Sequence, residues 1–147
     1  MGGGYAQMLP MGDYVVTTGK AELAQIGPEQ GKKRWMLFVH LTVEQSSNPT
    51  VPIGFEAKTS RFLESDYNSN RALGEVKALV GMCLGYTTAE DLDNARPDWP
   101  NELNADPFFL AGAQLTGSVR QKVNKDKTLK SKPDGSPDCK DTWQRIA

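Results

Sequence analysis

Ser69 to Gly85, SNRALGEVKALVGMCLG, is the stretch whose spacing dictates a helix, and its place in the chain decides the fold. Leu73, Val76, Val80, Cys83 and Leu84 fall at i, i+3, i+7, i+10 and i+11, so they share one face at 3.6 residues per turn. Arg71, Glu75 and Lys77 lie largely off that stripe, with Glu75 one turn after Arg71. Asn68, Ser69 and Asn70 offer capping oxygens at the start, and Gly85 can end the helix in a left-handed conformation. Gly74 and Gly81 each cost about 1 kcal/mol in a helix interior. Close approach to a sheet and simple tolerance account for them equally well. Three strand-like runs precede this helix and two follow it. The fold is therefore predicted as mainly β with one principal helix, a small five-stranded barrel of chain order βββ-α-ββ.

The 147 residues fit one domain, large enough to bury about two-thirds of its unfolded surface. A hydrophobic content of 38% and a net charge of −1 belong to a soluble globular chain. No apolar run approaches the roughly 20 residues a membrane helix needs, and the N-terminus does not read as a signal peptide. Cys83 and Cys139 make neither a metal spacing nor a disulfide framework, which suits a reducing cytoplasm. Charge is unevenly placed. Residues 113–147 hold eight Lys or Arg against four Asp, while 87–112 hold six acids against Arg96 alone. A one-sided polyanion site needs such asymmetry, although ordinary solvated surfaces also show it.

Residues 1–12 read as a glycine-rich arm whose Tyr5, Met8, Leu9 and Met11 would pack on the barrel or on another subunit. The domain follows from 13 to 147. Asp13 to Ile26 forms the first strand, with Gly19 marking a bulge. GPEQG at Gly27–Gly31 is a turn. Arg34 to Val43 is the clearest strand, with Trp35, Leu37, Val39, Leu41 and Val43 on a core face. Met36, Phe38, His40 and Thr42 occupy the other face, which is aromatic for one meeting water. Either a terminus or a second chain covers it, or it stacks bases. Ile53 to Ser60 makes the third strand, with Ile53, Phe55 and Ala57 alternating against Glu56 and Lys58. Residues 86–112 form an acidic, proline-containing excursion, with a helical turn at Thr88–Asn94 capped by Thr88. Trp99, Phe108 and Phe109 in that excursion read as a plug on the barrel. Gln114 to Asn124 is the fourth strand, Lys125 to Asp138 a polar loop, and Cys139 to Ile146 the fifth strand.

No nucleophile elbow, P-loop, zinc-protease motif or Cys/His spacing is present, so no enzyme, cofactor or metal is expected. A lone histidine on a strand, His40, is more often structural than catalytic.

The βββ-α-ββ order is that of an oligonucleotide-binding (OB) barrel, which engages strands through its second and third strands and the loops 1–2 and 4–5. The two most basic short stretches fall at those two loops. Lys32, Lys33 and Arg34 close the first. Arg120, Lys122, Lys125, Lys127, Lys130 and Lys132 run through the second. Together with Phe38, His40, Lys58 and Arg145 they make up the candidate nucleic-acid site. Cations neutralise phosphates and release counterions, and an aromatic such as Phe38 can stack on any base.

GDYVV at Gly12–Val16, the second strand ending LTVEQSSNP, RALGEVKALVGMCLG, and the closing segment with Trp143 resemble small phage-encoded single-stranded DNA-binding proteins of replication or recombination. The resemblance covers about four-fifths of the chain. It implies a non-catalytic, largely sequence-independent single-stranded DNA-binding protein in the host cytoplasm, while a homo-oligomer is the expectation if the apolar N-terminal arm packs on another subunit. Proteins of this kind often carry an acidic C-terminal tail, whereas this sequence ends TWQRIA. The alternative is a phage structural or interaction protein that uses a small barrel to hold protein partners.

Overall fold

A computed structural model describes residues 8–27, 33–64 and 69–146. The strands are β1 (Gly12–Ile26), β2 (Arg34–Ser46), β3 (Glu56–Phe62), β4 (Gln114–Gln121) and β5 (Cys139–Arg145). The helices are α1 (Ser69–Leu84), α2 (Ala89–Ala95) and α3 (Trp99–Ala105). The strands form one antiparallel sheet ordered β3-β2-β1-β4-β5. The expected barrel is not closed by a backbone ladder, and the sheet is open between β3 and β5.

Side chains span that opening instead. Asp141 on β5 accepts hydrogen bonds from Thr59 on β3 and from the Trp143 indole (2.8 Å), and pairs with Arg61 of β3 at 2.8 Å. Asp141 and Thr59 are buried. Helix α1 lies against both edge strands, and its buried stripe is Ala72, Val76, Leu79, Val80 and Cys83. Leu73 and Leu84, expected on the core face, are half-buried at its margins. Gly85 closes the helix at φ +91°, the left-handed conformation that glycine adopts without strain. Gly74 faces open space and the nearest neighbour of Gly81 is Tyr86, which follows the helix, so neither brings the helix onto the sheet. Asn68, one of the expected caps, and most of the Gly27–Gly31 turn lie outside the described residues.

The core face of β2 is Leu37, Val39, Leu41 and Val43, all at most 1% exposed. Alternation places Trp35 among them, yet it is 44% exposed. Its parity is right, but it sits at the strand end, paired with exposed Gln25, beyond the reach of the core layer. Two register shifts bend β1, one of them between Thr18 and Ala21 around Gly19. Ile53 is also misassigned by alternation. It lies in a turn with Gly54 (φ +89°), outside β3 and 74% exposed. Leu9 of the N-terminal arm packs into this chain's own core.

The excursion contains two helices where the sequence pattern indicates only the first. Thr88 caps α2 by accepting from the Asp91 N–H at 3.0 Å. Pro100 sits in the first turn of α3, where its missing N–H costs nothing. Trp99, Leu103 and Leu110 plug the core, while Phe108 turns out to solvent at 62% exposure. Buried Thr18 anchors the return of the chain, donating to the Leu110 carbonyl (2.6 Å) and accepting from the Ala113 N–H (3.0 Å).

Candidate nucleic-acid interface

Antiparallel pairing puts partner residues on the same face of the sheet. The outer face of β2 and β3 therefore holds Met36 beside Phe62, Phe38 beside Ser60, and His40 beside Lys58. Arg34, paired with Ile26 of β1, continues that face to the strand end. Phe62 is 43% exposed, while Phe38 and His40 are half-buried. This places Arg34 and Lys58 in one strip with Phe38 and His40, which the alternation of β2 puts on that face. It adds Phe62, which a third strand ending at Ser60 misses by two residues. Carrying the alternation from Lys58 through Ser60 to Phe62 finds it.

The strip's charge is moderated from within. Lys58 Nζ stands 3.9 Å from a carboxylate oxygen of Glu22 on β1. Burial, reinforced by the Lys58 charge, holds the His40 imidazole below its ordinary value, so it favours the neutral form. Cys83, buried in the core, has its thiol pushed up to about 12 and is inert at neutral pH.

The segment after β4 is a folded structure of its own, although its composition suggests a floppy loop. Three backbone bonds close a ring. Lys122 N–H donates to Asp138 (2.8 Å), Asp138 N–H to Lys130 (3.0 Å), and Lys130 N–H to Lys122 (2.8 Å). Two turns of like construction grow from this ring. In one, Lys127 N–H donates to Asn124 and Asp126 accepts from Thr128. In the other, Gly135 N–H donates to Lys132 and Asp134 accepts from Ser136. Those hydrogen bonds hold both carboxyls below the usual carboxylate range. The fourth residue of each turn has positive φ, Lys127 at +69° and Gly135 at +86°. Lys125, Lys127, Lys130 and Lys132 all stand exposed on this scaffold.

The other predicted cations are placed differently. Arg120 is exposed but engaged with Asp13 (2.5 Å) and the Gly12 carbonyl (3.0 Å). Arg145 donates to the Met82 and Cys83 carbonyls at 2.9 Å each, so it caps the end of α1 and stands apart from the outer strip. Lys33 is exposed beside the start of β2, and Lys32 lies outside the described residues.

A cleft of about 580 Å³ connects the strip to the base of the basic loop. Arg34 and Phe62 line it from one side and Lys122 and Lys140 from the other. Residues from the two predicted loop regions thus meet at one opening. Among the described residues no group of three or more His, Cys, Asp or Glu is placed to hold a metal ion. None of the described helices is long and apolar enough to cross a membrane.

No family model, curated protein or solved structure matches this chain.

Proposed function

We propose that this protein binds single-stranded DNA without catalysis and largely without regard to sequence, and that it acts in phage DNA replication or recombination. The observation that carries this reading is the outer strip of β2 and β3. There, Phe38 and Phe62 are interleaved with Arg34, His40 and Lys58, and the strip is flanked by a lysine-bearing loop with its own backbone scaffold. Aromatics accept bases of any identity, and cations track the backbone. The strand order, with α1 across the β3–β5 opening, supports an OB-type barrel whose last seam is made by side chains. Phage origin rests on the sequence resemblance, and a cytoplasmic location on that resemblance together with two cysteines that make no disulfide framework.

A mobility-shift titration with single- and double-stranded oligonucleotides at two salt concentrations tests it. Preferential retardation of the single strand, weakening steeply with salt, is expected. Equal or absent retardation would overturn it. Exposed Ile53 and Phe108, 74% and 62% accessible, favour a second reading. In that reading the sheet is a scaffold for protein partners in a phage assembly.

A further inference from the structure

The cleft between β3, β5 and α1 has a mixed lining. Phe62 and Ala72 supply apolar surface, and Arg71 of α1 and Lys140 of β5 supply cations. Arg71 and Lys140 approach from different elements, and each stands 3.9 Å from the same carboxylate oxygen of Glu75. All three side chains are substantially exposed, so these contacts are weak and exchangeable. Two further carboxylates line the cleft. Glu64 follows the end of β3 at the rim, and Asp141 at the back is buried and held by Arg61 at 2.8 Å. Among the described residues the lining also includes Arg34, Arg71, Lys122 and Lys140, of which Lys122 pairs with Asp138 at 3.4 Å. The volume of about 580 Å³ is that of a small-ligand site.

We propose that this cleft seats one nucleotide of the bound strand. Its phosphate replaces Glu75 between Arg71 and Lys140, and its base or sugar lies against Phe62. The assignment rests on the single-strand reading above and extends it, because Ser60 and Phe62 belong both to the cleft and to the outer strip. A strand crossing the strip would enter the cleft by that shared edge.

Titration of a fluorescent oligothymidylate across a range of salt concentrations is the test. Arg71→Ala combined with Lys140→Ala should flatten the salt dependence by roughly 0.7 for each cation removed. Glu75→Gln should act in the opposite direction and tighten binding roughly two- to fivefold, because it removes a carboxylate that competes with the phosphate at an exposed site. A merely structural role for Glu75 predicts no gain. Cys139, half-buried in the cleft wall, supplies an independent readout, since the seated strand should shield it from alkylation while buried Cys83 stays inert. Strand binding that is indifferent to all three substitutions and leaves Cys139 reactive would overturn this inference and leave the outer strip standing. No strand binding by the wild type would overturn both. Shielding of Cys139 by deoxythymidine monophosphate as well as by an equal concentration of strand would assign the cleft to free nucleotides and overturn the strand assignment.

Discussion

Arg61 on β3 and Asp141 on β5 are 80 positions apart in the chain and meet at 2.8 Å across the open side of the sheet. With Thr59 and Trp143 on the same carboxylate, they do by side chain what a β3–β5 ladder would do by backbone. Asp141→Ala leaves Arg61, whose side chain is only 17% exposed, without its counter-charge. The expected loss is roughly 3–5 kcal/mol in a denaturant melt, and Asp141→Asn should lose less by keeping part of the hydrogen-bond set. A variant as stable as wild type would mean that the seam contributes nothing.

Gly117 sets how closely β4 and β5 pack. A Cβ built there would lie 2.0 Å from the Thr142 carbonyl oxygen and 2.6 Å from the Trp143 ring. Gly117→Ala should destabilise by at least about 1–3 kcal/mol, with tryptophan fluorescence reporting a displaced Trp143. Gly74→Ala makes the control. Its Cβ meets open space, and helix propensity favours alanine by about 1 kcal/mol.

Phe38 separates the two functional readings. Phe38→Ala should cost about 1–3 kcal/mol of single-strand affinity with little change in melting temperature if bases stack there. A large drop in melting temperature with unaltered affinity would make Phe38 a packing residue and favour the interaction-protein reading. Phe62→Ala should behave as Phe38→Ala does.

The loop lysines should act on affinity and not on folding, because the ring of Lys122, Lys130 and Asp138 is made by backbone groups. Replacing Lys125, Lys127, Lys130 and Lys132 with alanine should lower the salt slope by roughly 0.7 for every phosphate left without its cation. An unchanged slope would move the site elsewhere. Lys127→Gly has a second consequence, since relieving the positive φ should raise stability by a few tenths of a kcal/mol, about what glycine's own entropy leaves over.

His40 gives the pH dependence. Its folded value lies below the ordinary 6.5, so on acidification the unfolded chain takes up the proton first. The stability it contributes is complete above about 6.5 and is lost as the pH falls below that value. A phosphate beside the ring would favour the charged form, so strand affinity should rise between about pH 7.5 and about pH 5.5. His40→Asn should flatten both trends, as calorimetry and titration at the two pH values would report.

The sequence by itself determined the elements whose signal is local. The alternation from Leu37 to Val43, the helical stripe ending at Gly85, the Thr88 cap and the Gly19 bulge each depend on neighbours within a few residues. Those neighbours are what a linear pattern records. Where the pattern met the end of an element it lost its meaning. Trp35 and Ile53 have the parity of core residues, yet no second layer reaches them. Alternation alone could have put Phe62 on the face of Lys58, but only the tertiary structure decided that β3 pairs with β2 to bring that face beside Phe38 and that Arg145 serves a helix end. The same holds for Arg61, Thr59 and Asp141, which join the sheet edges where no ladder forms. Those outcomes depend on surfaces that meet only after the intervening chain has folded, with a separation of 62 positions between Arg145 and Cys83 and of 80 between Arg61 and Asp141, and no local periodicity encodes such distances. The basic loop stands between the two cases. Its Asp-containing turns are local chemistry, but the ring of Lys122, Lys130 and Asp138 that holds it in shape continues the β4–β5 ladder, with Lys122 and Asp138 next after the Gln121–Cys139 pair.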